Sequence, residues 1–107
     1  MQTYKLICKS TSEKSHSFGI VVGEKNATII GYWKKGQKDE GDRAKSSKAD
    51  HLYYTGFSLY TDDGQNGRMV VDKKLLKIGH GTVILQNDYC EDGCQVREDI
   101  LACKVSN

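Results

Sequence analysis

Apolar side chains recur at every second position along most of this chain. Tyr4, Leu6 and Cys8 share one face of a first stretch, and Phe18, Ile20 and Val22 share one face of a second. A third stretch runs from about Thr28 to Trp33. Period-two alternation carried by β-branched and aromatic residues predicts half-buried strands. Between the second and third stretches, Glu24-Lys25-Asn26 reads as a three-residue hairpin loop, with Asn26 in the left-handed position that such a loop requires. Closing that loop at Gly23 and Ala27 places Val22 opposite Thr28, Val21 opposite Ile29 and Ile20 opposite Ile30. His51–Tyr60 is an aromatic-rich strand whose parity breaks at Gly56, which predicts a bulge there. A loop over Asp62–Gly67 then pairs Tyr60 with Met69 and Leu59 with Val70, and a strand Met69–Asp72 follows. Residues 73–79 fit neither period. Thr82–Tyr89 and Gln95–Val105 form a final hairpin.

These elements predict an all-β chain: a small antiparallel sandwich or partly open barrel of about seven short strands, with one long charged loop. A chain of 107 residues suits a single domain, residues 1–107. Apolar residues make up 37% of it, which leaves a thin core. No apolar run is long enough to span a bilayer as a helix. Met1–Lys5 leads directly into the first strand without the charged and apolar regions of a leader. That fits a cytoplasmic protein, and equally a mature secreted chain with a starting Met in place of its leader.

Charge changes this picture at one place. Residues 34–50, KKGQKDEGDRAKSSKAD, carry six basic and four acidic residues and thus the whole net charge of +2. Only two alanines there are apolar, so the segment reads as a long solvated loop with at most a helical turn near Arg43–Lys48. Long loops in compact domains are commonly functional. Trp33 stands just before it and Tyr53 and Tyr54 just after it. Aromatics around a charged loop suit recognition of a protein partner. The candidate binding residues are therefore Trp33, Lys34, Lys35, Lys38, Arg43, Tyr53 and Tyr54. Nucleic acid is the weaker partner for this loop, because four acids interrupt its bases and no aromatic lies within it.

Four cysteines narrow the compartment. In Cys90-Glu91-Asp92-Gly93-Cys94, the central residues fit a type I turn followed by a left-handed glycine. Cys90 and Cys94 then close the hairpin, which sets Ile100 opposite Ile84 and Leu101 opposite Val83. Facing residues of an antiparallel pair lie roughly 4.5–5.5 Å apart at Cα, within disulfide reach. A zinc site would want two-residue gaps between its cysteines, with His80 as the only plausible further ligand. A redox motif would want Cys-x-x-Cys at a helix start. The favoured pairing is Cys8–Cys103 with Cys90–Cys94, stapling a thin core as in an oxidising compartment. The alternative is a cytoplasmic protein with Cys8 and Cys103 as small core residues. No metal and no cofactor is expected.

Catalytic chemistry would have to come from the histidines, His16, His51 and His80. His51 and His80, as base and acid, with Arg68 as the cation on a phosphorane, are the parts of a phosphate-cleaving site. The stretches His51-Leu52-Tyr53-Tyr54-Thr55-Gly56-Phe57 and Arg68-Met69-Val70-Val71 resemble segments of the small fungal guanyl-specific ribonucleases, a scaffold that secreted fungal effectors reuse without catalysis. The chain departs from that family twice. Its β pattern over residues 18–33 replaces the family's N-terminal helix, and Thr61-Asp62-Asp63 stands where the family's glutamate follows the His-bearing strand. Gly-x-Ser-x-Gly, phosphate-loop and dinucleotide motifs do not occur. Asn26-Ala27-Thr28 is a glycosylation sequon at a hairpin tip.

The expected function is that of a small, non-enzymatic, secreted and disulfide-stapled binding protein, an effector or inhibitor acting by protein–protein interaction. One alternative is an intracellular phage- or plasmid-type antagonist of a host system with reduced cysteines. Another is a small ribonuclease-like enzyme using His51, His80 and Arg68.

Overall fold

A computed structural model gives the fold and describes residues 3–12, 16–31, 37–39, 43–45, 49–57, 67–90 and 93–106. Seven longer strands are β1 (Tyr4–Ser10), β2 (Ser17–Val22), β3 (Ala27–Gly31), β6 (His51–Phe57), β7 (Gly67–Asp72), β8 (His80–Cys90) and β9 (Cys94–Val105). Two three-residue strands, β4 (Gln37–Asp39) and β5 (Arg43–Lys45), lie between β3 and β6. All pair in one antiparallel sheet of order β4-β3-β2-β1-β9-β8-β7-β6-β5. The sheet curls into a nearly closed barrel, because β4 at one end of that order contacts β6 near the other. Across the same seam, the Tyr54 hydroxyl of β6 donates a hydrogen bond to the Gly23 carbonyl in the β2–β3 turn. The fold is thus the barrel form of the expected all-β architecture.

Strand alternation sorts the side chains. Leu6 and Cys8 of β1, Phe18, Ile20 and Val22 of β2, and Ala27 and Ile29 of β3 point inward and are buried. Leu52, Tyr54, Phe57, Met69, Val71, Val83, Leu85, Leu101 and Cys103 complete the core from the other four long strands. Cys8 faces Cys103 across β1 and β9, and the two form a disulfide inside the barrel. First and last strands are thereby joined covalently as well as by their ladder.

The stretch left open at 73–79 is a helix, α1 (Lys73–Ile78). Asp72 caps it by accepting from the Lys74 amide at 2.8 Å. Gly79 ends it with φ of 92°, its amide donating to the Leu75 carbonyl. Leu75 is buried among the core residues, and Gly81 lies so close that an added Cβ would come within 3.1 Å of the Leu75 Cβ. Positive φ is costly for any residue with a Cβ. Gly79→Ala should therefore cost about 1 kcal/mol, seen as a melting temperature lower by about 4–8 °C in a domain of this size.

Three expectations are corrected. First, Val22 pairs with Ala27, Val21 with Thr28 and Ile20 with Ile29, one residue away from the expected register. The Gly23 amide bonds to the Asn26 carbonyl, leaving a two-residue loop of Glu24 and Lys25, and no non-glycine residue among those described has positive φ. A one-residue shift exchanges the faces of a strand. Here it puts Ala27 and Ile29 in the core and keeps the Thr28 hydroxyl out of it. Second, Met69 and Val70 pair with Tyr54 and Tyr53 rather than with Tyr60 and Leu59, and residues 58–60 of the expected strand lie outside the described residues. This register buries Leu52, Tyr54 and Phe57 in the core. The bulge does fall at Gly56, between Thr55 and Phe57. Third, residues 34–50 hold β4 and β5, which extend the sheet beside β3 and β6, and the described part contains no helical turn.

Candidate functional site

The outer face of β6–β9 is fixed by ladder geometry. The register sets Tyr53 beside Val70, Val70 beside Ile84, and Ile84 beside Ile100. Residues directly opposite in adjacent strands place their side chains on the same face. Their inward neighbours Leu52, Met69, Leu85 and Leu101 are buried, so these four point outward. Tyr53, Val70 and Ile84 are half-buried, and Ile100 at the end of the row is 42% exposed. An aromatic–aliphatic row thus runs across four strands on the outside of the barrel.

A polar ladder flanks it. The Arg68 guanidinium donates to the Asp88 carboxylate at 2.9 Å and, through Nε, to the Gln86 amide oxygen at 3.4 Å. Gln86 in turn donates to Glu98 at 3.5 Å. The Arg68 hydrogen bond holds the Asp88 carboxyl below its ordinary value of 3.8, and the same bond raises Arg68. Because the folded value of Asp88 is depressed, any contribution of the pair is present above the ordinary value and fades as pH falls through the folded one. Asp88 is exposed, so the effect is read best by titration rather than by stability. Arg68→Ala should raise the Asp88 titration midpoint toward 3.8, followed by carboxyl NMR shifts against pH.

At the barrel end away from α1, Asp99 points inward and is 8% exposed. Its Oδ1 accepts from the Ser10 hydroxyl at 2.8 Å and from the Ser12 hydroxyl at 3.4 Å. Thr11 adds amide and hydroxyl bonds to the Ile100 carbonyl. This cluster ties the end of β1 to β9. Sequence reasoning passed over Asp99, although the parity of Leu101 and Cys103 already placed it inside.

The expected site residues divide. Trp33, Lys34 and Lys35 lie outside the described residues. Lys38 is in β4 and Arg43 in β5, with backbones paired to Thr28 and Tyr54. Tyr53 faces outward on the apolar row. Tyr54 is corrected from a binding to a core residue: it is 1% exposed, since successive strand residues point to opposite faces. Cys94 is disulfide-bonded and stands opposite Cys90 in the closing pair of β8 and β9, as expected, with Gly93 at φ of 92°. The Cys90 side chain, Glu91 and Asp92 lie outside the described residues.

The proposed catalytic trio does not converge. Arg68 is level with Thr55 and Gln86. His51 stands four residues up β6 from Thr55, about 13 Å at the rise of a strand. His80 stands six residues up β8 from Gln86, about 20 Å on the same measure. His51 is bonded to Asp50 at 3.0 Å, and Arg68 to Asp88. These separations leave no point within reach of base, acid and cation together. Among the described residues, no group of three or more His, Cys, Asp or Glu side chains is placed to hold a metal ion, and no helix is long and apolar enough to cross a membrane. Compared with known protein families, with characterised proteins and with solved structures, the chain matches none.

Proposed function

We propose that this chain is a non-enzymatic binding protein that docks on another protein, as an effector or inhibitor, in an oxidising compartment. The observation that carries the reading is the outward row Tyr53–Val70–Ile84–Ile100 beside the ladder Arg68–Gln86–Glu98. An apolar centre with a polar rim is the usual anatomy of a protein interface, and Tyr and Arg are among its strongest anchors. Secretion is supported by the Cys8–Cys103 disulfide and the bonded Cys94, since such bonds persist where the environment is oxidising.

Chemical crosslinking of the purified protein in extracts and culture fluid of its source, followed by mass spectrometry, tests the docking face. A partner crosslinked to the wild type should be lost from Val70→Asp and Ile84→Asp, whose solvent-side charges leave the core intact. A partner retained by both variants would refute this face. Alkylation of protein taken from its source without reduction tests the compartment. Labelled thiols in the native protein would favour the intracellular antagonist instead.

A further inference from the structure

We infer that Asn26, at the tip of the β2–β3 hairpin, is a site of N-linked glycosylation, its side-chain amide accepting an oligosaccharide from a polyprenyl diphosphate carrier. The inference rests on the oxidising-compartment reading above, because this transfer and disulfide formation share the secretory lumen. The acceptor triplet is Asn26-Ala27-Thr28, whose middle residue is not proline. Asn66 and Asn87, by contrast, are followed two positions on by Arg68 and Tyr89.

An asparagine in a hairpin turn ordinarily answers one of two structural needs. It tolerates a left-handed backbone, or its side chain closes the turn by bonding to nearby backbone. Asn26 does neither. No non-glycine residue among those described has positive φ. Backbone alone closes the turn, the Gly23 amide donating to the Asn26 carbonyl at 2.9 Å. The Asn26 side chain is exposed and, among the described residues, has no hydrogen-bond partner. Ala27 takes the inward position at 1% exposed, and alternation returns Thr28 to the outer face. The amide and the hydroxyl that define an acceptor are thus both outside the barrel. They border a shallow depression of about 260 Å³, lined also by Val21, Gly23, Glu24 and Lys25, which gives the first sugar room without disturbing the core.

The order of synthesis favours transfer as well. β1 pairs with β9, and Cys8 bonds to Cys103, 95 residues further on. Neither contact forms until the last strand has been made. Chains emerge N-terminus first, so Asn26 is presented on an open chain while most of the barrel is still missing. In the transfer, the Asn26 Nδ2 forms a bond to the anomeric carbon of the first N-acetylglucosamine. The bond from that carbon to the diphosphate oxygen breaks. The polyprenyl diphosphate leaves with the electron pair, and the amide nitrogen gives up one proton.

The test is peptide mapping by mass spectrometry of the protein taken from its source, before and after treatment with peptide N-glycosidase. The peptide spanning residue 26 should be heavier than its sequence by a glycan, and treatment should remove the excess and leave an aspartate at that position. In variants produced in the same source, Asn26→Gln and Thr28→Ala should each abolish the increment, and Thr28→Ser should keep it. Rescue by serine shows that the hydroxyl is read, rather than the strand it stands on. If a variant fails to accumulate, the map of the wild type decides. An unmodified Asn26 in the native protein would overturn the inference, and so would an increment that persists in Asn26→Gln. Alkylation of the same sample without reduction separates two failures. Oxidised cysteines with an unmodified Asn26 refute the glycan alone, whereas labelled thiols with an unmodified Asn26 refute the compartment reading with it.

Discussion

Replacing Cys8 and Cys103 together with alanine should cost about 4–5 kcal/mol, enough to bring the protein close to unfolding at physiological temperature. The bond joins residues 95 apart, nearly the whole chain, so its loss frees almost the maximum loop-closure entropy available to a domain of this length. Both cysteines also lie in the core, where the smaller side chains leave a void. The expected fall in melting temperature is roughly 20 °C or more. On the same entropy scale the bond at Cys94, opposite its neighbour in a tight hairpin, should contribute about 2 kcal/mol. Cys94→Ser should thus melt well above the Cys8/Cys103 double variant, as followed by circular dichroism with and without reductant. An equal or reversed order would refute the entropic account of this pairing.

The final hairpin shows why some of this fold is legible in sequence. The sequence between Cys90 and Cys94 favours one tight turn, and a tight turn fixes the pairing of everything that follows. Ile84 with Ile100 and Val83 with Leu101 follow from that one constraint, whereas the Cys8–Cys103 bond is legible from the places of the two cysteines in the first and last strands. The β2–β3 hairpin lacked such a constraint. Residues 27–30 read Ala-Thr-Ile-Ile, so two adjacent registers both offered apolar pairs. Only the barrel interior, which buries Ala27 and Ile29 and excludes Thr28, separates them. A preference for short loops shifts the expected β6–β7 pairing, while the core favours the register that buries Leu52 and Tyr54. Helix α1 has an Asp cap and a Gly terminator, but six residues are too few for a 3.6-residue period to show.

The outer surfaces were harder to read for a different reason. The apolar row crosses four strands, and its members Tyr53, Val70, Ile84 and Ile100 are far apart in sequence. A surface of that kind exists only once register is known. Only local clusters are visible in sequence, so the charged segment 34–50 and its neighbours stand out there and Tyr54 is grouped with Tyr53. Parity alone separates those two tyrosines, since one must face inward if the other faces out.

Tyr54 should prove the costliest single side chain to truncate at the barrel seam. Its ring is buried against the core from β6, and its hydroxyl reaches the Gly23 carbonyl in the β2–β3 turn. This side-chain bond crosses between the two ends of the strand order. Tyr54→Ala removes a large buried aromatic and should cost about 3–5 kcal/mol. Tyr54→Phe keeps the ring and removes one hydrogen bond, for about 0.5–1.5 kcal/mol. The two variants separate packing from closure. If the hydroxyl holds the seam shut, Tyr54→Phe should speed hydrogen exchange at the amides of β3 and β6 more than at β8 and β9, whose long mutual ladder does not depend on the seam. Uniform acceleration across the sheet would show that the bond adds only to global stability and that packing alone closes the barrel. Protection unchanged at β3 and β6 would show that the hydroxyl is dispensable there.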